Sequence, residues 1–143
     1  MRIRRAFEGD IAAMHAIRLS VRENQLDDPG SVLPHHYRGL LTENGRGWVA
    51  EIDGCIVGLA VADRVHSSVW ALFVDPDFER QGIGRKLHQA MIDWLFETGA
   101  KQIRLSTSPN TRAERFYRTA GWQPAGLANG ESCYMLSRKV PPA

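Results

Sequence analysis

Val69-Trp70-Ala71-Leu72-Phe73-Val74-Asp75-Pro76 runs directly into Asp77-Phe78-Glu79-Arg80-Gln81-Gly82-Ile83-Gly84-Arg85-Lys86, and then into Leu87 to Trp94. The apolar opening is too short for a helix and predicts a buried strand. Asp75-Pro76 ends it, because proline cannot donate to a strand ladder. Leu87, Met91, Trp94 and Leu95 then recur at helical spacing and predict a helix with one buried face.

The glycines fall where loop becomes helix. The first backbone N–H groups of a helix have no internal partner and carry partial positive charge. Gly82 and Gly84 lack a Cβ, so an anion can approach those groups closely, and Arg80, Arg85 and Lys86 add full charges. A pyrophosphate cradle and a plain turn are the two readings. The stretch has no Gly-Lys-Ser/Thr ending, and Leu87 stands where a dinucleotide fingerprint needs its third glycine. It resembles instead the acetyl-CoA signature of the GNAT N-acetyltransferases: an apolar strand ending Val-x-Pro, then Arg/Gln-x-x-Gly-x-Gly/Ala opening a helix. One position departs from that pattern. The Arg/Gln slot holds Glu79, with Arg80 one place later.

Upstream, Met1–Ala6 reads as an edge strand, and Asp10 as the N-cap of a helix carrying Ile11, Met14, Ile17 and Val21 on one face. Asn24 to Leu33 contains the turn cluster Asp27-Asp28-Pro29-Gly30-Ser31. Pro34 opens a short second helix with Tyr37, Leu40 and Leu41. Trp48–Ile52 and Ile56–Ala62 are strands joined by Asp53-Gly54, a hairpin signal, with Gly58 marking a bulge or a close approach. Downstream, Gln102–Thr107 is a strand. Thr111 and Glu114 form a capping box, and Gly121 ends the helix they open. Trp122–Leu127 and Cys133–Lys139 close the chain through Asn129-Gly130.

Asn110 and Tyr117, about two turns apart, share a helical face, and the small Ala113 between them leaves room for a ligand. Asn110, Ala113, Phe116, Tyr117, Gly121 and Trp122 match a second signature of the resembling family, Asn-x-x-Ala-x-x-Phe-Tyr-x-x-x-Gly-Phe/Trp. The resemblance covers essentially the whole chain. It implies one domain over residues 1–143, with an α/β (α+β) fold: a twisted, mostly antiparallel sheet of about seven strands, splayed at its centre and flanked by four helices.

The resemblance further implies transfer of an acetyl group from acetyl-CoA to a primary amine. The pantetheine arm would bond to the backbone of Phe73 and Val74, with Asn110 beside it. Gln81, Gly82, Ile83, Gly84, Arg85 and Lys86 would hold the pyrophosphate, with Arg80 alongside. Val74 would supply the backbone oxyanion donor, and Tyr117 the general acid. Its unperturbed pKa of about 10 keeps a tyrosine protonated at neutral pH. Phe116 is expected to face the core and Tyr117 the ligand. Arg22, Glu23, Asn24, His35, His36 and Tyr37 are candidate acceptor contacts, a solvated loop being the other reading. Glu23, Asp63, His66 and Glu131 are candidate bases, and Trp70 takes a strand position where some family members keep an acid. Arg22 favours an amino-acid-like acceptor; Arg18, Glu23, Asp27 and Asp28 leave its charge open. Family members are often dimers, so a homodimer is a further expectation.

Composition is ordinary for a soluble globular protein. The chain has 143 residues, 43% hydrophobic and 24% charged, and 18 basic residues against 16 acidic give a net charge of +2. Its charges are interspersed, which argues against nucleic acid as a partner. No run approaches a membrane span, and no apolar segment follows Arg2, Arg4 and Arg5 as in a signal peptide. Cys55 and Cys133 show no metal-ligand spacing and predict small buried side chains, and no histidine partner is placed to make Cys133 a nucleophile. The expected setting is cytoplasmic, without a bound metal. Rival readings are a catalytically silent acyl-CoA sensor and, within the enzyme class, an acetyltransferase acting on protein amines.

Overall fold

The computed structural model describes residues 1–26 and 29–138. Asp27 and Asp28 of the predicted turn cluster, and Lys139 of the last predicted strand, lie outside the described residues. Along the chain run β1 (Arg2–Arg5), α1 (Ile11–Ser20), α2 (His35–Leu40), β2 (Gly45–Ile52), β3 (Cys55–Asp63), β4 (Ser68–Val74), α3 (Ile83–Glu97), β5 (Gln102–Thr107), α4 (Arg112–Thr119), β6 (Gln123–Ala128) and β7 (Glu131–Ser137). The strands form one seven-stranded sheet in the order β1-β2-β3-β4-β5-β7-β6. Every neighbouring pair is antiparallel except β4 with β5.

Alternation along the central strands gives the sheet two apolar faces. Val49, Leu59, Val61 and Ala71 pack with Ile11, Met14 and Ile17 of α1 and with Tyr37 and Leu41. On the opposite face, Trp48, Ala50, Val57 and Ala60 pack with Ile83, Leu87, Met91 and Leu95 of α3, and Tyr117 and Trp122 extend that cluster. Burying a side chain such as Leu87 contributes about 1.5–3 kcal/mol, so α3 is held mainly by its apolar stripe.

Both predicted hairpins form. Asp53-Gly54 have φ of 51° and 79°, and Asn129-Gly130 have φ of 52° and 78°, as a type I′ turn requires. Gly58 meets both expectations placed on it. Val57 is extra to the pairing, since Ala50 pairs with Gly58 while Glu51 pairs with Ile56. A Cβ on Gly58 would also stand 3.0 Å from Leu87 Cδ1 and 3.1 Å from Ile83 Cγ2.

Two local expectations are corrected. Asp10 makes no cap bond to α1; its carboxylate instead takes Arg4 Nη1 and Nη2 at 2.9 and 2.8 Å and the Phe7 N–H at 2.8 Å. That ties β1 to the turn before α1. Cys55 is exposed rather than buried, because it borders the Asp53-Gly54 turn, and Cys133 is half-buried.

Gly58→Val should lower stability by about 1–3 kcal/mol, because Leu87 and Ile83 must move to admit the side chain. Urea titration, read as a lower midpoint at unchanged m-value, checks it.

Candidate active site

The site begins where β4 parts from β5. The two strands pair only at Ser68 with Arg104, so the rest of that edge of β4 has no strand beside it. The parting coincides with a bulge. Val61 pairs with Ala71 and Ala62 with Val69, so Trp70 is the extra residue on β4. A bulge bends and twists its strand, which turns the second half of β4 away from β5.

Register then decides which backbone groups are free. The Asp75 N–H donates to Val57 O at 2.8 Å. Ladder alternation therefore directs the N–H and C=O of Phe73 toward Leu59, and those of Leu72 and Val74 toward the gap. The Val74 backbone thus faces the gap, while that of Phe73 faces β3. The residue that shares the open edge with Val74 is Leu72, which sequence reasoning missed. The register beyond Asp75 shows it, and the sequence does not.

The gap holds a small cavity of about 60 Å³ walled by Leu72 and Phe73 on one side, Leu105 and Thr107 on the other, and Tyr117 at its floor. It adjoins an open cleft of about 570 Å³ that runs past Val74 to the loop before α3. There Gly82 has φ +78°, which a residue with a Cβ adopts only under strain, and Lys86 N–H makes the first helical bond, to Gly82 O. The N–H groups of Ile83, Gly84 and Arg85 thus have no carbonyl within the helix. Arg80, Arg85 and Arg112 stand around that point on the cleft wall. Arg80 itself has φ +64°, a conformation that costs a non-glycine residue about 1–2 kcal/mol. These features fit a long, phosphorylated ligand that pairs with a strand edge at one end and meets a helix N-terminus at the other.

Other predicted residues divide. Gly82, Ile83, Gly84, Arg85, Ala113 and Phe116 line the cleft as expected. Gln81 and Lys86 are exposed and lie outside its lining, and so does Asn110, whose backbone N–H donates to Glu114 Oε1 at 2.6 Å. The facing of Phe116 and Tyr117 is reversed in burial. Phe116 is half-buried on the cleft wall, while Tyr117 is 6% exposed and reaches the cleft only through the inner cavity. The cause is that Tyr117 packs among Trp122, Tyr134 and His88, with ring centroids at 5.5, 6.5 and 6.3 Å. Burial pushes the Tyr117 hydroxyl up from its ordinary value, so it stays protonated.

The acceptor-side residues are also sorted by the fold. Tyr37 is fully buried between His15 and Trp70, its hydroxyl 3.0 Å from His15 Nδ1, so it is a core residue and not a surface contact. Asn24 Oδ1 accepts from the Ser108 N–H at 2.6 Å and from the Thr107 hydroxyl at 3.0 Å. Glu23 Oε1 accepts from the Arg112 N–H at 3.2 Å. Together they strap the end of α1 to the start of α4 across the gap. Arg22 is exposed on the cleft wall. Asp63 and His66 bond to each other at 2.8 Å in the β3–β4 turn and do not line the cleft. Glu79, in the departing slot, pairs with Arg112 at 2.6 Å and so occupies a cation beside the N-terminus of α3.

Solved structures share this fold. It matches the Escherichia coli ribosomal-protein-S18-alanine N-acetyltransferase with a TM-score of 0.76 at 20% identity, over 99% of this chain and 97% of that one. It also matches the PaiA N-acetyltransferase of Thermoplasma acidophilum, crystallised with coenzyme A, with a TM-score of 0.74 at 12% identity, over 96% and 98% of the two chains. The model of the acetyltransferase (GNAT) family matches residues 11–122, and the chain belongs to that family. A protein of Archaeoglobus fulgidus described as an uncharacterized N-acetyltransferase is 34% identical over 94 residues, 58% of this chain. The chain spans less than two thirds of the curated relatives it matches, 64% of that protein and 48% of a second.

Behind Tyr117, the buried His88 accepts from Trp122 Nε1 at 3.0 Å through Nε2, which requires a neutral ring. Burial lowers its pKa from 6.5 to about 4. Between those values the unfolded chain binds a proton that the folded chain refuses. The stability from a neutral His88 is therefore complete above pH 6.5 and lost as pH falls toward 4. Wild type should lose about 3 kcal/mol more than His88→Gln over that window, measured by urea titration at each pH.

Proposed function

We propose that this chain is an acetyl-CoA-dependent N-acetyltransferase acting on a primary amine by direct attack, with both substrates bound together. The observation that carries the reading is the unpaired edge of β4 at Leu72 and Val74, set between Tyr117 and the N-terminus of α3. A pantetheine arm has amide groups that pair with such an edge, and a pyrophosphate suits the helix end with its arginines. Acetyl-CoA supplies an activated acyl carbon and a thiolate leaving group.

Placement supports a role for each residue. Backbone N–H groups on β4 are fixed dipoles aimed into a narrow gap, so they stabilise negative charge on an acyl oxygen with little reorganisation. Val74 keeps its assigned part in this, and Leu72 shares it. Tyr117 is a neutral hydroxyl in the cavity wall, suited to donate to a departing sulfur. A thiol near pKa 8.5 is more acidic than a buried phenol, so Tyr117 acts first as a hydrogen-bond donor to the thiolate. An alkylamine must shed a proton before it attacks. Of the candidate bases, Glu23 is the one on the cleft wall and takes that proton through water.

Titration calorimetry with acetyl-CoA, followed by thiol release over a panel of amines, tests the reading. Binding with release for one amine class supports it. Binding with no release for any amine identifies a sensor, and no binding overturns the cradle. Tyr117→Phe should lower kcat by ~10–10⁴-fold with little change in acetyl-CoA affinity; unchanged turnover would remove Tyr117 from the chemistry.

Glu79→Gln frees Arg112 and removes a negative charge beside the cradle. Acetyl-CoA affinity should rise about 3–10-fold at low salt, and the gain should shrink as ionic strength increases. Calorimetry at two salt concentrations reads it directly.

A further inference from the structure

Arg18 sits in the last turns of α1, with its guanidinium carbon 4.3 Å from the centroid of the Phe73 ring. Its Nη1 is buried and has no hydrogen-bond partner. No ion pair or hydrogen bond of the Arg18 side chain occurs among the described residues, whereas Arg4 pairs with Asp10 and Glu51, Arg112 with Glu79, and Arg118 with Glu114. Glu131 and the Tyr37 hydroxyl are near enough to act on Arg18 electrostatically, yet burial prevails and its pKa is lowered. The other orphaned guanidinium nitrogen, Arg46 Nε, belongs to a side chain lying over Trp94 of α3, away from the open strand edge. Arg18 is on the lining of neither the gap nor the cleft, but its guanidinium stands against Phe73, a residue that lines both.

A buried N–H left without a partner costs about 1–3 kcal/mol, and more when it belongs to a charge. Its place over the Phe73 ring restrains the guanidinium, whose fork matches a planar anion. A carboxylate meets such a fork with two parallel bonds.

We infer that Arg18, orphaned over Phe73 beside the open edge of β4, binds the carboxylate of the acceptor, so that the amines acetylated here are amino acids or other carboxylate-bearing amines. The inference rests on the acetyl-transfer reading above. It also moves the anion contact from Arg22, which is exposed, to Arg18 one turn earlier.

The test uses the full chain with saturating acetyl-CoA. The α-amino acids, β-alanine and longer ω-amino acids are each compared with their primary amides, by thiol release and by calorimetric binding to the CoA-loaded protein. At least one acid should exceed its amide by about 10–100-fold in kcat/KM or in affinity. Arg18→Met should raise KM for that acid by a similar factor and abolish the preference, leaving kcat and acetyl-CoA affinity nearly unchanged; Arg18→Lys should restore part of it. Retained acetyl-CoA affinity shows that the variants are folded. Amides equal to acids, a preference that survives Arg18→Met, or no carboxylate-bearing amine bound by the CoA-loaded wild type would overturn the inference. Failure of wild type to bind acetyl-CoA would instead sink the transfer reading itself.

Discussion

An unpaired strand edge in the middle of a sheet is the constraint on which the rest of this molecule depends. Backbone N–H and C=O groups removed from water are costly unless they find partners. Here the bulge at Trp70 turns β4 from β5 after one paired position, leaving Leu72 and Val74 without a neighbouring strand. The edge stays open because the elements around it are held by other contacts. The β3–β4 ladder fixes one side, and the β5–β7 ladder the other. α3 is anchored beneath by Ile83, Leu87, Met91 and Leu95.

Several polar contacts keep the gap from closing or drifting. Asn24 and Glu23, just after α1, bond to backbone N–H groups of Ser108 and Arg112, so the two faces of the sheet are tied across the opening. On the far side, the buried Glu114 carboxylate takes hydrogen bonds from the Tyr134 hydroxyl and the Asn110 N–H, with Arg118 beside it. Those bonds hold the carboxyl of Glu114 below its usual range, so it stays ionised. They also lock α4 to β7, which places Tyr117 at the floor of the gap. Charge is arranged the same way. Glu79 pairs with Arg112 beside the N-terminus of α3, and Arg18 Nη1, next to Phe73, has no partner among the described residues.

Much of the fold was legible because its signals are local. Helical spacing in Leu87, Met91 and Leu95 places α3, and the dipeptides Asp53-Gly54 and Asn129-Gly130 place the hairpins. The two family signatures sit where their matching residues indicate, at the N-terminus of α3 and along α4. Two expectations give way to partnership in the folded chain. Tyr37 reads as a loop-side contact in a short helix, but the core against Trp70 claims it. Asp10 reads as a cap, but Arg4 claims its carboxylate.

The sequence by itself determined the elements, their order, the glycine-bearing turn into α3 and the family to which the chain belongs, because spacing, turn chemistry and motif are written along the chain. Tertiary structure alone decided which groups of that chain are free. Whether Leu72 or Phe73 faces the gap depends on a register set by Val57 and Asp75. Which arginine near the end of α1 carries a buried nitrogen without a partner among the described residues depends on which one lies over Phe73. A side chain or a backbone amide becomes a site when its neighbours leave it without a partner, and neighbours far apart in sequence are chosen only when the sheet has formed.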